Sequence, residues 1–216
     1  MTRDIQLALT RSPVEAVEAD IVVAGVFCDD RPLRGAAGRL DWRLCGQLSD
    51  LMASGTLDQA PGSAVLLPGS GPIKATRVLL LGLGQRREFS LERAQEAMRS
   101  AIDRCLSLRQ DVIALSPLGI APDDFARHAE VVVEGLTRAV REFGAAEDAS
   151  GARELWLKIC LSEKQFHEAE ENLPALIAAH SDPRIHLKGQ ARPAARPVIP
   201  SVGEVAEAEE FHPDPS

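Results

Sequence analysis

The sequence predicts a three-layer α/β/α sandwich with a mixed central sheet. Three observations lead there. Six short apolar runs rich in Val, Leu and Ile alternate with longer stretches whose apolar residues recur every three or four positions. Several of the runs are apolar without interruption, as suits strands covered on both faces. The order is strand, strand, helix, strand, strand, helix, strand, helix, strand, helix, and strands interleaved with helices place helices on both sides of a largely parallel sheet.

Taken in order, residues 4–9 (DIQLAL) alternate and form the first strand, and 20–27 (DIVVAGVF) form a β-branched second. Leu40, Leu44, Leu48 and Leu51 make 35–54 a helix. Strands at 63–67 and 77–83 follow, joined through Gly69 and Gly71 as a hairpin. The second of them is expected to be the central strand, its Gly82 and Gly84 turning the chain toward the next helix. That helix spans 90–108, with Ser90 as N-cap and Glu92 suited to the positive helix end. Residues 111–115 form a strand, and 123–143 a helix capped by Asp123 with a stripe through Val132, Val133, Leu136 and Val140. After a strand at 154–161, Ser162 and Gln165 have capping-box spacing and open a helix that Pro174 kinks or restarts. A short strand is expected at 184–188. The folded domain is therefore 1–188, and 189–216, with five prolines and an acidic cluster at 204–210, reads as an extended or disordered tail.

Composition narrows the function. The 216 residues carry a net charge of −8, and no Lys/Arg cluster offsets it, which argues against nucleic acid as a partner. No apolar run approaches the length of a membrane span. Cys28, Cys45, Cys105 and Cys160 are widely spaced and contain no CxxC pair. Residues 1–10 are charged and lack the apolar run of a signal peptide, so a cytoplasmic protein with reduced thiols is expected.

The chemistry-bearing signals are few. Three glycine loops follow strands: 34–38 (RGAAG), 67–72 (LPGSGP) and 82–84 (GLG). Backbone N–H groups of such loops beside a helix N-terminus can cradle an anion, although turn geometry alone also explains them. The 82–84 loop lacks the third glycine of GxGxxG and any P-loop Lys-Ser/Thr. His128 and His167 sit beside acidic residues on helices, as surface histidines do. Asp29 and Asp30 amount to half a cation site, and they would repel a diphosphate. Spacing gives no catalytic set, no metal set and no cofactor.

The words of the sequence are more specific. ADIVVAGVFCDD with RPLRGAAGRLD, then PGSAVLLPG, RVLLLGLGQRREFSLERAQEAMRSA and HAEVVVEGLTRAVREF, resemble the N-terminal domain of the leucine aminopeptidase (cytosol aminopeptidase) family. The resemblance covers about residues 5–178. Where that family has a Tyr-x-Phe segment, this chain has Arg141-Glu142-Phe143. The family's two-metal catalytic motifs match no position here, so the resemblance implies no catalytic and no metal-binding residue. It does imply a macro-domain-like fold, and macro domains bind ADP-ribose. On that likeness Gly35, Gly38, Ser116 and Gly119 are the ligand-binding candidates. The segment 25–29 (GVFCD) replaces the Asn-rich stretch of ADP-ribose binders, and Pro117 leaves the second loop with one glycine.

Three functions are expected from this. The first is a stand-alone non-catalytic module that acts through a protein partner or self-association, in an interaction or regulatory role. The second is a macro-like binder of ADP-ribose or a related nucleotide. The third is the non-catalytic part of a split metallo-aminopeptidase.

Overall fold

The computed structural model describes residues 4–121, 124–143, 154–180 and 185–188. The position of Asp123 and the whole 189–216 segment lie outside these residues.

Seven strands form one sheet: β1 (Asp4–Thr10), β2 (Ile21–Phe27), β3 (Ala64–Pro68), β4 (Arg77–Gly84), β5 (Val112–Leu115), β6 (Glu154–Cys160) and β7 (Ile185–Lys188). Their spatial order is β3-β4-β2-β5-β6-β1-β7. β3 is antiparallel to β4 and every other pairing is parallel, so the sheet is mixed as expected. β4 is second from one edge. The centre belongs to β5, which corrects the expectation that 77–83 would be the central strand. The reason is the hairpin: an antiparallel strand of only five residues, with Leu66 43% exposed, closes the sheet directly outside β4.

Among the described residues the α-helices are α1 (Gly35–Arg43), α2 (Gln47–Ala53), α3 (Leu91–Ser107), α4 (Phe125–Phe143) and α5 (Glu163–His180). Strand side chains alternate between faces, and the core divides accordingly. Ile5, Leu7, Ile21, Val23, Ile113 and Leu157 pack under α3, α4 and α5. On the opposite face Val22, Ala24, Val78, Leu80 and Ala114 pack under Leu40 of α1, Leu48 and Met52 of α2, and Val14 and Val17 of the segment after β1. This is the predicted three-layer arrangement.

The local signals work as chemistry dictates. The Ser90 hydroxyl accepts the Arg93 N–H and caps α3. At α5, Gln165 Oε1 accepts the Ser162 N–H at 3.0 Å while the Ser162 hydroxyl accepts the Gln165 N–H, a reciprocal capping box. α5 runs through Pro174 without ending, the proline lying on its exposed side.

One helix expectation fails. The 35–54 segment is two helices, broken where Cys45 and Gly46 adopt φ of 54° and 88°. The Asp41 carboxylate bridges the break. It accepts the N–H groups of Leu48 and Ser49 at 2.9 and 3.1 Å and supplies the N-terminal satisfaction that Gly46, with no side chain, cannot. The break lets Leu40 and Leu48 both reach full burial while Trp42 stays 81% exposed.

Candidate functional site

The carboxyl ends of the parallel strands open into one large cleft of about 580 Å³. In open α/β sheets this is where ligands collect, and the volume falls within the range of small-molecule sites, roughly 300–1,000 Å³. β2 contributes Gly25 and Phe27, the segment after β5 contributes Ser116, Pro117 and Gly119, and the end of β6 contributes Cys160. The start of α1 and the start of α5 form the walls.

Of the predicted site residues, the structure brings Gly35, Ser116 and Gly119 together in this cleft. Gly38 faces elsewhere: a side chain there would run into the Leu33 carbonyl, so its glycine serves the packing of the α1 entry. Gly35 has φ +58° with open space around its Cα. Gly119 has φ +72°, and the Phe89 ring occupies the place of its missing side chain. Only glycine meets both conditions at 119 without strain.

Sequence reasoning missed the arginines. Arg11, Arg34, Arg39 and Arg86 all line the cleft, and among its described lining residues Asp30 is the one carboxylate. A chain with a net charge of −8 thus gathers four arginines at one cleft, three of them paired with carboxylates: Arg11 with Glu163, Arg39 with Glu15 and Arg86 with Asp30. Asp30 itself is neutralised. Arg86 grips it with two bonds, Nε to Oδ1 at 3.2 Å and Nη2 to Oδ2 at 2.6 Å. Asp29 accepts the backbone N–H of Arg86 at 3.0 Å. Asp30 is therefore paired with an arginine, whereas Asp29 accepts a neutral backbone N–H, keeps its charge and is not among the residues that line the cleft.

The arginines differ in what they leave free. Arg86 lies over the Phe27 ring with Cζ 4.1 Å from its centroid, and Phe27 packs edge-on against Phe89 at 5.1 Å. Arg11 lies over Phe166 at 4.1 Å and pairs with Glu163. Arg39 pairs with Glu15, whose side chain is only 9% exposed. Arg34 precedes α1 as its N-cap residue, makes no side-chain cap, and α1 has no acidic residue in its first turn. The N-terminus of α1 has no side-chain cap, and Arg34, Gly35 and Ala36 at this end line the cleft.

Cys160 lies at the cleft floor. Burial pushes its thiol up to about 12, against a smaller opposing pull from Arg39 and Lys158. At neutral pH it is a protonated, apolar part of the floor rather than a nucleophile. Among the described residues no group of three His, Cys, Asp or Glu side chains could hold a metal ion, and no helix is long and apolar enough to cross a membrane.

The loop 82–84 takes no part in the cleft. The Gly82 and Gly84 N–H groups donate to the carbonyls of Ser63 and Gln59. The glycines allow the segment before β3 to lie directly on β4, and this is packing.

Residues 22–146 match the family model for the N-terminal domain of the cytosol aminopeptidase family, more than half of the chain. The chain belongs to this family. The match runs from β2 through α4 and includes Asp30, Arg34, Arg86, Ser116 and Gly119 of the cleft. A probable cytosol aminopeptidase of Methylobacillus flagellatus is 35% identical over 132 residues, which are 60% of this chain and 26% of that protein. One from Ralstonia nicotianae is 37% identical over 92 residues, 43% of this chain and 18% of that protein. The cytosol aminopeptidase N-terminal domain seen here thus spans about a quarter of the length of such relatives. Its fold is shared with tomato leucine aminopeptidase (TM-score 0.57, 16% identity, 83% of this chain and 38% of that one). It is also shared with a Trypanosoma brucei macrodomain solved in complex with ADP-ribose (TM-score 0.59, 18% identity, 77% of this chain and 68% of that one). At these identities the likeness is one of fold.

Proposed function

We propose that this cytosol aminopeptidase N-terminal domain is a binding module whose strand-end cleft takes an anionic small molecule of nucleotide chemistry, with ADP-ribose as the representative ligand. One observation carries the reading: four arginines line a cleft of about 580 Å³ on a chain of net charge −8. Ser116 and Gly119 sit on one wall, and Gly35 with the uncapped α1 N-terminus sits on another. The reading is of binding rather than hydrolysis, because the cleft's described polar groups are arginines, short hydroxyls, an amide and one carboxylate already committed to Arg86. Proton transfer needs a free acid or base. The relatives' name, cytosol aminopeptidase, fits a cytoplasmic setting for the domain.

The test is a thermal-shift titration of the purified chain with ADP-ribose up to millimolar concentration. A ligand that binds only the folded state stabilises it by about 2.7 kcal/mol at a hundredfold excess over Kd. A saturable rise in Tm that Arg34→Ala weakens supports the reading. A flat titration removes ADP-ribose as the ligand.

A second reading, an interaction or regulatory module, is favoured by Trp42, an 81% exposed tryptophan on α1. Exposed aromatics of this size mark interface hot spots. Sedimentation velocity over a range of micromolar concentrations checks its self-associating form. A dimer that dissolves in Trp42→Ala supports it, and a monomer throughout counts against it.

A further inference from the structure

The two roles an arginine can play toward a nucleotide are distinguishable from its own bonds. A guanidinium with a free edge forks a phosphate or carboxylate. One whose edge is already tied offers chiefly its face, on which a flat ring stacks.

Arg86 is of the second kind. Its Nε and Nη2 are committed to Asp30, a carboxylate whose side chain is 8% exposed. One face of the guanidinium is covered by Phe27 at 4.1 Å, and Phe27 is braced in turn by Phe89. The Arg86 side chain is still 43% exposed and lines the cleft. Phe27 covers one face and leaves the other free to stack, on a guanidinium held at a fixed angle by a buried carboxylate and an aromatic ring. Arg11 has a similar stack on Phe166, but its partner Glu163 is 68% exposed, so that pair is solvated and loosely held. Arg34 is of the first kind, with no ion pair among the described residues, beside the open α1 N-terminus.

We propose that Arg86 is the base-stacking platform of the cleft: the flat ring of a nucleotide lies on its outer face, while the phosphates lie toward Arg34 and Gly35. The assignment rests on the nucleotide-binding reading above. It adds which residue recognises the ring and how. It also divides the affinity, since the ring depends on the plane of Arg86 and the phosphates depend on charge elsewhere.

The experiment is calorimetric titration of the full chain with ADP and, separately, with inorganic pyrophosphate, in the wild type, Arg86→Lys and Asp30→Asn. Lysine keeps the charge and loses the plane. Asparagine keeps the guanidinium and weakens its anchor. The expected result is that Arg86→Lys weakens ADP by about tenfold or more, the loss of one stacked base, and leaves pyrophosphate within about twofold. Asp30→Asn should weaken ADP in the same direction by less. The adenine absorbance should fall on binding to the wild type and fail to do so with Arg86→Lys, a readout that a merely structural role does not move. If Arg86→Lys binds ADP as the wild type does, or loses ADP and pyrophosphate equally, the platform assignment is wrong and the nucleotide reading survives. If the same ADP loss appears in Arg11→Lys instead, the ring lies at the other end and the assignment is equally overturned. If wild-type protein binds neither ligand, the cleft reading falls and the platform with it.

Discussion

The backbone N–H of Gly82 donates to the carbonyl of Ser63 at 3.0 Å, and the Ser63 hydroxyl fills the space a side chain at 82 would need. Backbone atoms of Gln59 and Ala60 crowd the same position. The glycine is there for contact between two chain segments. Gly82→Ala must move backbone rather than the tip of a flexible side chain, so it should destabilise the fold by about 1–3 kcal/mol, the usual cost of overpacking. Urea denaturation checks it, with the midpoint falling at unchanged slope.

Gly119→Ala makes a different prediction. The variant meets both the φ of +72° and the Phe89 ring. Phe89 supports Phe27, which carries Arg86. The substitution should therefore lower Tm by several degrees and also weaken ADP-ribose binding, whereas Gly82→Ala should lower stability and leave binding intact. Thermal melts with and without ligand separate the two.

The thiols should divide into two classes. Cys105 and Cys160 are buried, and burial pushes both up to about 12, whereas Cys45 is exposed. At pH 8 a thiol reagent should label Cys45 readily and reach Cys105 and Cys160 only in denaturant. Mass spectrometry of partly labelled protein reads this directly.

The same two thiols set an alkaline limit. An unfolded thiol ionises near pH 9.0, the folded pair only near 12. Between those values the native state holds more protons than the unfolded state, so stability declines with rising pH. Their contribution is level below about pH 9 and falls above it. Replacing Cys105 with Ala should flatten part of that decline, at the cost of a lower plateau from the lost packing. Denaturation curves at a series of alkaline pH values give both effects.

The α5 capping box can be tested with Ser162→Ala. It removes one half of the reciprocal pair, and the loss should be about 1 kcal/mol. Because Ser162 also lines the cleft, ADP-ribose affinity measured on the same variant shows whether the hydroxyl has any second role.

The strands were legible because a strand buried on both faces must be apolar at every position. The runs IVVAGVF and RVLLLGLG leave little else possible. The α3 and α5 caps were legible because their partners lie three residues apart. The break between α1 and α2 was not. Leu40, Leu44, Leu48 and Leu51 keep helical spacing straight through it, and the signal was Gly46 in mid-run together with Asp41, whose carboxylate reaches seven and eight residues ahead. The site followed the same rule. Gly35, Ser116 and Gly119 were legible as loop ends after strands. The partnership of Asp30 with Arg86 spans 56 residues, and no local pattern records it. Read alone, Asp30 is a negative charge. Read with its partner, it is the anchor of a cation.

β1 sits between β6 and β7, in register from Asp4 opposite Glu154 and Ile5 opposite Ile185. The first of the described strands in chain order is thus flanked by the last two. Until residues 154–188 have been made, β1 has neither neighbour, and β5 lacks the partner on one of its sides. β2, β4, β5 and the hairpin can pair early, but the half of the sheet that carries Arg11 and Cys160 into the cleft must wait for residues 154–188. The cleft is therefore the last part of this fold to be completed, and a chain that lacks β6 has half a cleft and an unpaired strand to protect.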